Sequence, residues 1–185
     1  MGAPQFAWSS RILHWLMALM VIGMLFIGVS MVASLADYHR LVSIHRPLGI
    51  AILVLAVVRI ANRVWKPPPP FLATMSPVER LAATWSERLM YALMIALPLV
   101  GWCMLSAARY PIVLCGSVHL PPVLPQSTGL YTWLRRAHTM LAYAFFLTFL
   151  AHLAAVLFHT IVLRDGLLLR MAPWRTHKAP EPRSS

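Results

Sequence analysis

The chain has 185 residues, of which 59% are hydrophobic and only 11% charged, with a mean hydropathy of +0.70. That excludes an ordinary soluble domain, in which roughly half the residues are apolar and about a quarter charged. The net charge of +11 would point to nucleic acid in a soluble protein, but in so apolar a chain the placement of the charges carries the meaning, and no nucleic-acid partner is expected.

A hydrocarbon core about 30 Å thick takes roughly 20 apolar residues as one helix, and four such windows follow one another. The first, 12–35, reads "ILHWLMALMVIGMLFIGVSMVASL". It exceeds the roughly 7 to 15 apolar residues of a cleavable leader, so it is expected to stay as a helix. A short turn, "ADYHR", leads to the second window, 41–64, which carries Arg59 and Arg63 near its end. Next comes "KPPPPFLATMSPVER", whose proline run cannot be helical and reads as a stiff linker. The third window is 89–108. The segment after it, "RYPIVLCGSVHLPPVLPQSTGLY", is the longest connection and unusually apolar, and is expected to lie along the membrane surface as a partial lid. The fourth window is 134–163. Residues 1–175 therefore form one all-α membrane domain, a four-helix transmembrane bundle, and 176–185 has the composition of a basic disordered tail.

Loops rich in Lys and Arg mark the cytoplasmic side of a membrane protein. With the N-terminus inside, the inner regions hold eleven of the sixteen Lys and Arg residues; the outer ones hold Arg40, Arg46, Arg109, Arg135 and Arg136. The expectation is an inner-membrane protein with both termini in the cytoplasm.

This topology gives each histidine a depth. His14 lies near the inner side of the first helix, His45 near the outer side of the second, and His138 and His152 near the outer and inner sides of the fourth. His138 and His152 are about 21 Å apart along the axis and about 40° apart in phase. They share a face at two levels, and two pairs result: His45 with His138, and His14 with His152.

A polar side chain inside a bilayer is costly unless partnered, and by default marks a functional site. The partner must accept two imidazoles from facing helices and must occur twice. Haem iron with two axial histidines meets both conditions. Zinc fits less well, because neither Cys103 nor Cys115, nor any carboxylate, lies at either depth to complete four ligands. No Cys-x-x-Cys-His motif is present, so the haems would be non-covalent and b-type. Two axial imidazoles leave no open iron position, which favours electron transfer over oxygen binding.

"SRILHWLMAL", "IHRPLGIAILVLAVVRIANR", "ALPLVGW", "LRRAHTMLAYAFF" with "AHLAAVLFHTIVLRD", and "LLRMAPWR" resemble, in order and spacing, the bacterial cytochrome b561 family. The resemblance implies a four-helix bundle enclosing two b haems, with His14, His45, His138 and His152 as axial ligands. It implies electron transfer between an outer-face donor and the quinone pool, with ubiquinone as a candidate substrate and superoxide as a candidate donor. It also allows a haem-carrying membrane anchor for a larger periplasmic dehydrogenase or hydrogenase. A haem-free transporter is a weaker alternative, since neither broken helices nor internal repeats are visible.

His159 is only about 20° off the face of His152 and stays open as an alternative inner ligand. Arg59 and Arg63 lie four apart on one helix face. They either snorkel to lipid headgroups or contact the carboxylates of the inner haem. Arg46, Arg135 and Arg136 could do the same at the outer haem, and with Arg109 form a patch attractive to an anionic or protein donor. Trp8, Trp65, Trp133 and Trp174 read as interfacial anchors, Gly49 as room for a flat porphyrin beside His45, and His39, His119 and His177 as solvated loop or tail residues. A disulfide between Cys103 and Cys115 is permitted by compartment.

Overall fold

The computed structural model describes residues 4–114, 116 and 118–172. Four long helices dominate it: α1 (Trp8–Ala33), α2 (Tyr38–Trp65), α3 (Pro77–Ala107) and α4 (Thr128–Leu157). A two-stranded antiparallel hairpin, β1 (Ile112–Leu114) with β2 (Val118–Leu120), sits between α3 and α4, and pairs Ile112 with Leu120. A π-helical turn, Phe158–Leu163, continues α4, and a short helix, α5 (Leu167–Met171), follows.

Each long helix is long and apolar enough to cross a membrane, and each extends beyond its apolar window. The reason is clearest in α3. Ser76 Oγ accepts from the Glu79 backbone N–H, and Glu79 Oε2 accepts from the Ser76 N–H, with Pro77 at the first helical position. This reciprocal cap starts the helix inside the stretch read as a linker. Ser127 does the same for α4, accepting from the Leu130 N–H. At the other turn, α2 begins at Tyr38, so His39 and Arg40 belong to its first turn and not to a loop. His119 lies in β2; His177, Trp174, Cys115 and the 176–185 tail lie outside the described residues.

Extended packing joins α1 to α2, α2 to α3 and α3 to α4, while the backbone of α4 stands off from α1 and α2. The buried core is small: Met17 and Val21 of α1, Ile52 and Ala56 of α2, Leu93 and Met94 of α3, and Phe145 of α4. Most other apolar side chains face outward, Leu19 at 71% and Val32 at 84% exposure among them. In water this would be an aggregation surface; in a bilayer it is the lipid contact.

One end of the bundle, the terminal end, is laced by backbone acceptors. Arg170 donates to the carbonyls of Pro4 and Pro70, Arg11 to that of Ala172, and Trp15 Nε1 to that of Met171. The chain before α1, the proline linker and α5 are thereby tied together. The opposite end carries the hairpin.

Candidate functional site

At the hairpin end, His45 of α2 and His138 of α4 face each other with ring centroids 6.3 Å apart and planes at 68°. The Nδ1 atom of each is buried and meets no partner at full hydrogen-bond geometry among the described residues, with the Leu97 backbone a polar neighbour of the His138 ring. Two imidazoles on opposite sides of one metal ion, with bonds of about 2 Å, place their centroids roughly 6 Å apart, so this pair fits such an ion. Among the described residues no cluster of three or more His, Cys, Asp or Glu forms. The remaining ligands would have to come from a macrocycle, as in haem.

The ring of His138 reaches this position because residue 101 of α3 is glycine. A Cβ there would lie 3.3 Å from His138 Cε1, tighter than ordinary contact. Pro98, inside the same helix, removes one backbone donor a turn earlier. Gly49, read from the sequence as room for a porphyrin beside His45, is not pressed by another protein group: a Cβ would meet only Met24 Cε, at an ordinary 3.7 Å. Gly101 was not singled out, and its sole signal was its place in "ALPLVGW", on a helix without histidines.

At the terminal end, His14 of α1 lies within electrostatic range of Arg59 and of His152 on α4. Arg59 donates to His14 Nδ1 at 2.9 Å. Because a guanidinium only donates, His14 Nδ1 accepts, and the proton of the neutral ring sits on Nε2. An imidazole that ligates through Nε2 carries its proton on Nδ1 instead. The terminal pair therefore fits a haem only with Arg59 turned to another acceptor, and a haem carboxylate is one.

The two arginines of α2 part company. Arg63 pairs with Glu87 of α3 through both guanidinium nitrogens, at 2.5 and 2.8 Å. Arg59 also stacks on Tyr91, with 5.4 Å from its guanidinium carbon to the ring centroid. Arg59, Arg63 and Lys66 line a small cleft with Ser10, Asn62 and Tyr91. At the hairpin end, Arg135 donates to Tyr131 Oη at 3.0 Å and Arg136 stacks on Trp133. Both are exposed.

His159 is 7% exposed in the π-helical turn, where its Nδ1–H donates to Asp165 Oδ2 at 2.5 Å. Asp165 also accepts from the Leu167 N–H and so starts α5. Glu79 at the start of α3 is a further electrostatic neighbour of His159, whereas the histidine neighbour of His14 is His152. Trp15 stacks edge-on against His14, and Phe145 is part of the core between the two levels. Trp8, Trp65 and Trp133 are exposed near helix ends, as interfacial anchors are.

A family model described as prokaryotic cytochrome b561 matches residues 5–174. Cytochrome b561 homolog 2 of Escherichia coli (strain K12) is 32% identical over 165 residues, covering 88% of this chain and 88% of that protein. The probable superoxide oxidase CybB of Yersinia pestis is 32% identical over 162 residues, covering 87% of this chain and 92% of that protein.

Proposed function

The chain belongs to the prokaryotic cytochrome b561 family, a family of b-type membrane cytochromes in electron transfer, and from that premise we propose that it holds two b haems and passes electrons between an outer-face donor and the quinone pool. The observation that carries this reading is the facing His45–His138 pair, whose ring centroids stand 6.3 Å apart, the spacing of two imidazoles on one metal ion. At the terminal end His14 of α1 and His152 of α4 lie within electrostatic range of each other.

A b-type haem held between such pairs would supply a one-electron centre. The protein's own residues do the rest. His45 and His138, and His14 and His152, provide the ligands; Gly101 lets the His138 ring close in; the apolar core from Met17 to Phe145 keeps water out between the levels. Arg59 supplies charge to haem carboxylates at the terminal end, with Arg63 and Lys66 nearby. The distribution of Lys and Arg puts the terminal end in the cytoplasm of a bacterial inner membrane. The hairpin end then faces outward, where Arg46, Arg109, Arg135 and Arg136 favour anions. Superoxide is the donor of choice, since one relative is described as a probable superoxide oxidase. Quinone, as ubiquinone, is the acceptor.

The test is haem stoichiometry by pyridine haemochrome in the purified protein, followed by reduction with superoxide or quinol. The wild type is expected to carry two haems, and Ala at any one of His14, His45, His138 or His152 to leave about one. A haem-free protein overturns the proposal. Two haems with no response to superoxide or quinol favour a membrane anchor of a larger dehydrogenase or hydrogenase.

A further inference from the structure

The hairpin covers a cavity of about 200 Å³ at the outer end of α3. Its walls are the rings of Trp102, Tyr110 and Pro111 and the side chains of Ile112 and Leu120, and its one charged lining residue is Arg109. The shape is built, not incidental. Ile112 and Leu120 stand opposite each other in the strand register, so both point to the same face of the hairpin. Trp102 is fixed by donation from Nε1 to the Pro121 carbonyl at 3.0 Å. Ser106 Oγ, itself buried, donates to the Trp102 carbonyl and accepts from the Val123 N–H. Its hydrogen bonds are thus spent on holding the wall. Arg109 takes a left-handed backbone conformation, φ 58°, and its N–H donates to the Ser106 carbonyl. A non-glycine residue held there is uncommon and costs free energy.

The cavity connects to the hairpin-end histidines by two routes. Trp102 follows Gly101, the residue against His138. Pro111 accepts a hydrogen bond at 3.2 Å from Arg46, which follows His45. Size and lining then choose the ligand class. A water-sized or diatomic molecule needs only about 30 Å³, whereas an apolar cavity of about 150 Å³ already accommodates a benzene ring. Indole, phenol and proline walls suit a ring face, and Arg109 suits one acidic group, preferably bidentate. Arg135, within electrostatic range of Tyr110, adds to the positive field.

We propose that this cavity binds a monocyclic organic anion, its ring between Trp102 and the Ile112–Leu120 pair and its acidic group on Arg109. As the seat of the anionic outer-face partner it rests on the function proposed above; as a binding site it does not.

The experiment uses the purified full-length protein with its cofactors and benzoate as the probe, followed by saturation-transfer NMR on the benzoate signals. Haem content is read from the absorbance of the same samples. Benzoate is expected to saturate, and benzamide, which lacks the charge, and acetate, which lacks the ring, to bind about tenfold more weakly or worse. Arg109→Gln should weaken benzoate by about tenfold or more, Arg109→Lys should restore part of the loss, and Leu120→Trp should abolish binding by filling the space. Equal affinity in wild type and Arg109→Gln, or acetate binding as tightly as benzoate, would overturn the proposal. If Leu120→Trp loses its haem spectrum and so has misfolded, the Arg109 pair of variants decides alone. A wild type without haem refutes the function proposed above while leaving the benzoate series readable.

Discussion

Gly101 gives the sharpest test of the site. A methyl group there would sit 3.3 Å from His138 Cε1, so the imidazole must yield by a few tenths of an ångström. Forcing a side chain off its rotamer by about 30° costs about 0.5–1.5 kcal/mol. If one oxidation state of a bound haem bears most of that cost, its midpoint potential moves by about 20–60 mV, because 59 mV corresponds to a tenfold change for one electron. Gly101→Ala is therefore expected to keep two haems while shifting one of the two potentials in an optical redox titration. Gly101→Leu adds a branched side chain that the ring cannot evade by small movements, and should leave about one haem by pyridine haemochrome. Gly49→Ala is the control, since its Cβ meets only a flexible methionine terminus at 3.7 Å, and should do neither. Equal behaviour of the Gly49 and Gly101 variants, or two haems in Gly101→Leu, would refute the reasoning.

Arg59→Gln should lower the potential of the terminal-end haem, because removing a nearby positive charge favours the more positive oxidised state. At an effective dielectric constant of about 20 and separations of roughly 8–16 Å the loss is about 1–2 kcal/mol, or about 40–90 mV; the double variant Arg63→Gln with Glu87→Gln, which removes an ion pair and so no net charge, should move it much less in the same titration. Asp165→Asn weakens the partner of a buried histidine and the acceptor at the start of α5, at a cost of about 1–3 kcal/mol. Faster tryptic cleavage after Arg164 would be the readout, and an unchanged cleavage rate would contradict it.

Four helices, and the two levels at which histidines meet, were legible because each depends on a period that the sequence carries: about 20 apolar residues per span and 3.6 residues per turn. Residues whose part depends on a neighbour from another helix were not. Arg59 and Arg63 look alike along α2, four apart on one face, and only the position of Glu87 on α3 separates them. Gly49 and Gly101 look equally suited to make room, and only the approach of His138 distinguishes them. The hairpin leaves no trace in the sequence pattern beyond an apolar connection, because its two three-residue strands are too short to show an alternation of period two. Arg11 and Arg170 stood out only as charges, yet both are buried, at 5% and 4% exposure, and bind backbone carbonyls at the terminal end.

The two levels differ in how their imidazoles are held. At the hairpin end His138 is placed by packing, through the absence of a side chain at Gly101, with the Leu97 backbone beside its ring. At the terminal end the neighbour of His14 is a charge, Arg59, which lies against its Nδ1 here and would turn to a haem carboxylate in the loaded protein. A packed contact answers to volume and scarcely to charge, since dispersion and overlap fall off within fractions of an ångström. A charge-assisted hydrogen bond answers to charge and tolerates small movements less selectively. It follows that volume changes in α3 should register at the hairpin level and charge changes in α2 at the terminal level, so that the two proposed centres can be perturbed one at a time although α4 carries a histidine at each level.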